Sequence, residues 1–373
     1  MKTVKFAALA LIFVLLATSF TGGENLKDMS VAEGMGLDYS DNSVSVTVQT
    51  LNLAKGGNGA DALSGNITMN TTGEGENISS AVQNISESLS KKLFFGQNRI
   101  LVIGMEMAQD HLHKSFDYLL RSTDSRPDVA VCIAQDKAAD ILNSTQNDAL
   151  VPAQAIASLL GEGEENGFGV YVTASEMLNL YTDKTSDIYL PILSADDKSV
   201  SVSGIALFNG EKFVGILPNA DIMGFLFLKD EIESGSFVFD TEDYGKTSVG
   251  IISSSTKTSS VLKDGKVHFK VEIKASLMLN EIESGITESL TKQDIEALTK
   301  ACEKEIARKC TDSFNFCTRS SSDCLRIGEN LSRNSNSDYK SVLDNWDEYL
   351  KNSVIDIKCE CVFKKINENS SGN

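Results

Sequence analysis

The sequence predicts an α+β fold of more than one domain, in which mixed sheets pack against helices and a long-stranded antiparallel sheet is covered by helices in the C-terminal part. Three observations carry this expectation. Between residues 77 and 180, short buried apolar runs alternate with apolar stripes at helical spacing. Beyond residue 198 the pattern changes to strands punctuated by Asn-Gly and Asp-Gly pairs. Residues 266–279 alternate apolar and polar positions without interruption, as a long strand with one wet face does.

The 373-residue chain carries 34 Lys and Arg against 52 Asp and Glu, a net charge of −18. Its length suits two or three domains, and 41% hydrophobic residues suffice for buried cores. The acidic balance excludes nucleic acid as a partner, because phosphates require clustered Lys and Arg. It also disfavours a broad electrostatic grip on anionic lipid. With three His and one Trp, chemistry that needs several imidazoles has few candidates.

At the N-terminus, Lys2 and Lys5 precede an apolar run over residues 6–20, followed by Thr21, Gly22 and Gly23. This is the pattern of an export signal. The run is shorter than the roughly 20 apolar residues of a spanning helix. Residues 1–23 are therefore read as a signal peptide or a retained N-terminal anchor, 24–198 as an N-terminal α+β region and 199–373 as a C-terminal α+β domain. The protein is expected to be exported.

The elements follow in order. Val44, Val46 and Val48 alternate with polar neighbours, a half-buried strand over residues 43–51. Residues 55–76 are rich in Gly, Asn, Ser and Thr and read as a long loop. Ile78, Val82, Ile85 and Leu89 mark an amphipathic helix within 77–92. A buried strand over 100–103, a helix over 105–120 and a second buried strand over 129–134 follow, with Asp136 as the expected N-cap of a helix through Ile141. Helices are expected over 153–160 and 174–180. Asn209-Gly210 predicts a hairpin joining 201–209 to 211–217, and Asp264-Gly265 one joining 261–263 to 266–279. On the last strand Val267, Phe269, Val271, Ile273, Ala275, Leu277 and Leu279 share one face, with His268 and the charged residues on the other. Thr291 and Asp294 form a capping box ahead of the stripe Ile295, Leu298, Cys302 and Ile306. Residues 311–323 read as a polar connection. A helix over 341–350 holds Trp346, and Ile355, Ile357, Cys359, Cys361 and Phe363 close the chain as one side of a strand.

Motifs for chemistry are sparse. Cys132 reads as a small hydrophobe in a buried strand. The other six cysteines, Cys302 to Cys361, lack the close C-x2-C pairs of zinc sites. Their readings are buried packing, one or more disulfides, or metal. For a disulfide, Cys359 or Cys361 would reach Cys302 or Cys310 on the covering helix. His111 and His113 stand two apart on a helix and do not share a face. Gly-rich stretches such as Gly161-Glu162-Gly163 do not sit between a strand and a helix as a phosphate cradle does. No catalytic, cofactor-binding or metal site is expected.

Five segments, in order, resemble one family. Gly34-x-Gly36-x-Asp38 follows an apolar strand. Residues 93–104, LFFGQNRILVIG, are similar to a Phe-Gly-His segment and strand, with Gln97 at the His position. Residues 116–126 resemble a helix end bearing Arg121 and Arg126. SGIALFNGEKFVGIL, residues 203–217, resembles the hairpin that opens the C-terminal region, and DNWDEYL, residues 344–350, the closing Trp-containing helix. The family is Ger(x)C, the C subunits of bacterial spore nutrient germinant receptors. The resemblance implies a non-enzymatic α+β protein on the outer surface of the spore inner membrane, working beside two integral-membrane subunits in nutrient-triggered germination. Gln97, Arg121 and Arg126 become candidate partner contacts. No lipobox cysteine is present, since the first Cys is Cys132 and residues 19–23 read SFTGG; retention of the N-terminal helix is the expected substitute. The alternative is an extracellular solute-binding protein that binds a small ligand by itself. The germinant, the disulfide pairing and direct ligand binding stay open at this point.

Overall fold

A computed structural model describes residues 29–52, 67–121, 126–183, 185–196, 198–241, 243–283 and 290–365. The expected signal or anchor over residues 1–23 lies outside the described residues. The first half comprises β1 (Met29–Ser40), β2 (Ser43–Leu51), β3 (Thr68–Gly75), α1 (Ile78–Leu89), β4 (Lys92–Phe94), β5 (Ile100–Ile103), α2 (Met105–Asp110), α3 (Leu112–Arg121), β6 (Ala130–Ala134), α4 (Ala138–Asn143), α5 (Pro152–Glu165), α6 (Ala174–Thr182) and β7 (Tyr189–Ala195). The second comprises β8 (Val200–Asn209), β9 (Lys212–Pro218), α7 (Asn219–Lys229), β10 (Gly235–Thr241), β11 (Gly245–Lys263), β12 (Lys266–Ile282), α8 (Lys292–Arg319), α9 (Ile327–Asn334), α10 (Asn336–Val342), a 3-10 turn at Leu343–Asn345, α11 (Trp346–Lys351) and β13 (Val354–Lys365).

Nine strands form the first sheet, in the order β3-β2-β1-β5-β6-β7-β8-β9, with β4 beside the first residues of β1. Its centre, β1-β5-β6-β7, is parallel, and its flanks are antiparallel. β5 and β6 are buried at every residue, as parallel strands covered on both faces are. Hydrogen bonding continues across the 198/199 division, because β7 pairs with β8. The second sheet, β10-β11-β12-β13, is antiparallel except for its last pair. α8 lies along its inner face, burying Leu298, Cys302, Ile306, Cys310, Phe314 and Cys317. Phe314 stacks on Phe269 of β12 with ring centres 5.9 Å apart. One apolar core runs through both sheets.

Several local expectations are corrected. The loop expected over 55–76 contains β3, an edge strand whose polar side chains hide its period; Thr72 reaches Thr47 of β2 at 3.0 Å. The helix expected over 105–120 breaks at His111, which leaves helical geometry with φ −134 and sets its ring 3.6 Å from that of Tyr39. The Asn209-Gly210 hairpin forms one residue later: Asn209 pairs with Lys212, leaving Gly210 and Glu211 as the loop. Asp264 and Gly265, both at positive φ, are the loop residues of the other hairpin, as expected. Its first arm, β11, is far longer than residues 261–263. Ser and Thr at its inner positions and two bulges obscure the alternation. Residues 311–319 are not a connection but the end of α8, since Ser313, Phe314 and Cys317 continue its buried stripe. Thr311 and Thr318 return their hydroxyls to carbonyls four residues back. The helix expected over 341–350 is divided into α10, the 3-10 turn and α11.

Candidate functional site

The Gly34-x-Gly36-x-Asp38 segment lies on β1, under α4 and α5. A Cβ at residue 34 would stand 2.8 Å from the Cβ of Ala153, and one at residue 36 would stand 3.1 Å from that of Ala138. Glycine thus lets two helices pack directly on the strand backbone. Asp38 then reaches the first turn of α4. Its Oδ1 accepts the Ala138 N–H at 2.7 Å and its Oδ2 the Ala139 N–H at 3.1 Å. The cap expected from Asp136 is therefore supplied by a carboxylate a hundred residues away. Burial raises the Asp38 pKa above the ordinary carboxylate value, with the two amide donors opposing. Gly104 completes the arrangement: its N–H donates to the Leu37 carbonyl at 2.8 Å, and a Cβ there would collide with Asp38 Oδ1.

This cluster occupies the carboxyl ends of parallel strands, where open α/β sheets commonly bind ligands. Here the protein's own carboxylate fills the helix N-terminus that an anion would use. The adjoining open cleft of about 610 Å³ is lined by Tyr39, Glu74, Glu106, Asp136 and Lys137. Its carboxylates outnumber its cations, so it is a poor receptor for phosphate. What the arrangement does is join β1, β5 and α4.

The candidate contacts Gln97, Arg121 and Arg126 come from the β4–β5 turn, the last residue of α3 and the approach to β6. Gln97 is exposed in the turn between β4 and β5, held by Asn98 N–H to Phe95 O at 2.9 Å and Arg99 N–H to Glu33 O at 2.9 Å. Phe95 and Asn98 share a small internal cavity with Tyr118, Leu119 and Val129. The turn therefore meets the end of α3 and the approach to β6. Arg121, whose side chain is 79% exposed, pairs with Asp117 at 2.7 Å, and Arg126 grips Asp128 through two nitrogens. Arg126 holds the Asp128 carboxyl below its ordinary pKa.

The cysteines also meet. α8 lies against β13, and Cys359 and Cys361 bring their sulfurs to 3.8 Å. All seven cysteines are thiols. Burial, with Cys359 nearby, pushes the Cys302 thiol up to about 12, so it is a weak nucleophile. Among the described residues no group of His, Cys, Asp and Glu is placed to hold a metal ion.

Sequence reasoning missed a buried carboxylate junction. Asp187, just before β7, accepts the Gly210 N–H of the β8–β9 turn at 2.8 Å and the Asp323 N–H at 2.7 Å. Asp323 in turn accepts the Ile327 and Gly328 N–H groups at the start of α9, at 2.7 and 2.8 Å. Burial raises both carboxyls, Asp323 well above its ordinary value. Asn209 adds a bond to the Ser321 carbonyl at 2.8 Å. The available signal was Gly328, whose missing Cβ would stand 2.9 Å from Asp323 Oδ2.

Two family models match the chain in order. "Spore germination protein N-terminal domain" covers residues 22–195, and "Spore germination B3/ GerAC like, C-terminal" covers residues 203–366. The chain belongs to the Ger(x)C family of spore germination proteins. Among its curated relatives is a putative spore germination protein, YfkR, of Bacillus subtilis (strain 168), 21% identical over 95% of each chain. Spore germination protein KC of the same organism is 22% identical over 96% of this chain and 95% of its own. The crystal structure of the GerBC protein has the same fold, with a TM-score of 0.60 at 14% identity over 92% of this chain and all of that one. For this Ger(x)C chain, the Gly-x-Gly-x-Asp segment that carried the resemblance is an internal packing and capping device.

Proposed function

We propose that this Ger(x)C protein is the non-catalytic C subunit of a nutrient germinant receptor, exported and held at the outer surface of the spore inner membrane beside two integral-membrane subunits. The ordered match to both family halves carries the reading. The self-filled crevice at Asp38 supports a structural over a catalytic role. Gln97, Arg121 and Arg126 are its proposed partner contacts, and residue 198 its proposed division. Residues 1–23 remain as a short anchor, because a tether raises the effective concentration at the partners to about the millimolar range. Cys302, Cys310, Cys359 and Cys361 are the proposed disulfide candidates of the exported protein, against the buried-packing reading that their free thiols support.

Deletion of the gene from its spore-forming host tests the reading. Nutrient-triggered dipicolinate release is expected to fall in the deletion strain and return on complementation. The protein is expected in the membrane fraction after high-salt washing, with its N-terminus near Met1. Unchanged germination would overturn the receptor role. A mature N-terminus near Glu24 together with release by salt would overturn the anchor. Purified protein that gains thermal stability with one nutrient, in the absence of other subunits, would favour the solute-binding alternative.

A further inference from the structure

α8 ends in a turn that folds back on the helix. Ser321 takes the left-handed conformation, φ 57. The Ser322 N–H then donates to the Cys317 carbonyl at 3.0 Å, the bond that wraps a chain over the end of its helix. Cys324 follows two residues later. Its thiol donates to the Ser322 carbonyl at 4.0 Å, and the Cys317 thiol is hydrogen-bonded to Cys324. Ser322 thus holds both cysteines, one through its N–H and one through its carbonyl. Cys317 is 0% and Cys324 1% exposed, so the pair lies wholly under the turn.

A bridge needs two sulfurs in contact on a chain that turns back between them, and this turn supplies both. The loop it closes is short and local, so the two sulfurs meet early in folding. The other close pair, Cys359 and Cys361 at 3.8 Å, stands two residues apart on β13. Two strand residues rise about 6.7 Å, near the upper limit of about 6.8 Å that a bridge spans between Cα atoms. Cys302 and Cys310 both lie near Cys359, so neither has it as a sole partner. Between Cys317 and Cys324 stands Asp323, whose N–H donates to Asp187 at 2.7 Å and whose carboxylate accepts the Ile327 and Gly328 N–H groups. A link from Cys317 to Cys324 fixes the segment that presents Asp323 to both.

We propose that Cys317 and Cys324 form a disulfide in the exported protein, a covalent staple that holds the turn carrying Asp323 against Asp187 and the start of α9. Two S–H bonds break and one S–S bond forms. Two electrons and two protons pass to a small-molecule or protein disulfide outside the cytoplasm, which leaves as two thiols. Burial, with Cys324 beside it, holds the Cys317 thiol well above its ordinary pKa, so the folded pair reacts slowly and the bridge forms as the chain folds. The inference rests on the export proposed above, because disulfides persist outside the cytoplasm and are rare within it.

The test uses the full chain in its own host. Spores are broken in denaturant with N-ethylmaleimide, and the chain is digested with trypsin without reductant. Cleavage after Lys309, Arg319 and Arg326 separates residues 310–319 from residues 320–326. The bridge is expected to join these two peptides in one species lighter than their sum by two hydrogens, and fragmentation to place the link on Cys317 rather than Cys310. Alkylated Cys317 and Cys324 in separate peptides overturn the proposal, and so does a link from Cys324 to any other cysteine. Reduction of the purified chain with a phosphine, verified by the same digest, is expected to speed amide exchange at Ile327 and Gly328 at least tenfold. Equal exchange in the two forms overturns the stapling of the junction. Location is read in the same strain by protease added to intact protoplasts. Free thiols on a chain that the protease reaches overturn this inference alone, whereas free thiols on a chain it does not reach overturn the export reading as well.

Discussion

β5 and β6 of the first sheet are buried at every position, whereas β12 of the second is buried only at alternate ones. The first sheet is sandwiched by helices, so its middle strands read as unbroken apolar runs and tolerate no charge. The second has helices on one face only, and its free face sets charged rows beside exposed apolar side chains such as Val238 and Val362. The difference separates a scaffold from a surface: substitutions in the first sheet should cost stability, and those on the outer face of the second should leave it nearly unchanged.

Four measurements can break or sharpen that contrast. Val102→Asp, in the middle of β5, buries an unpaired charge and is expected to cost more than about 5 kcal/mol and yield no soluble protein. Val238→Asp on the outer face of β10 is expected to stay within about 0.5 kcal/mol of the wild type. Equal losses in denaturant titrations would erase the distinction. Next, Phe314→Ala removes a fully buried ring between α8 and β12 and is expected to cost about 3–5 kcal/mol by loss of packing and cavity formation. A loss below about 1 kcal/mol would show that α8 covers its sheet only loosely.

Asp38→Ala should cost about 1–3 kcal/mol, because the Ala138 and Ala139 amides lose their acceptor in a buried place. Amide exchange at those two positions is expected to quicken before the rest of the first sheet. Uniform exchange would show that the cap is not local to α4.

The smallest expected effect is a pH dependence. Glu164, at the end of α5, accepts the Tyr171 N–H at 3.0 Å. Burial, with Glu231 and Glu176 nearby and Lys229 opposing, pushes its carboxyl up to about 7. The folded state then holds a proton that the unfolded chain releases near pH 4.5. This group's contribution to stability is present in full below that pH, falls as pH rises toward 7 and is flat above it. Because the group is partly solvated, the expected size is about 1 kcal/mol. Glu164→Gln should remove that decline from unfolding curves collected between pH 5 and pH 7.5. A stability profile in parallel with the wild type would show that the carboxyl is already ionised.

Elements whose side chains followed one period were legible in the sequence. The alternation from Val267 to Leu279 placed β12 and its inner face, and the Thr291–Asp294 box placed the start of α8. The apolar runs at Ile100 and Ala130 marked the buried centre of the first sheet. These features are local: period and capping depend on residues a few positions apart, which the sequence displays directly. Family membership was legible for a related reason, since its segments recur in order. Tertiary structure alone decided which distant groups meet. Asp38 caps α4, and Asp187 and Asp323 join the two halves. Each depends on strand order and register. Those are set by packing the whole core, and no short window of sequence contains that information.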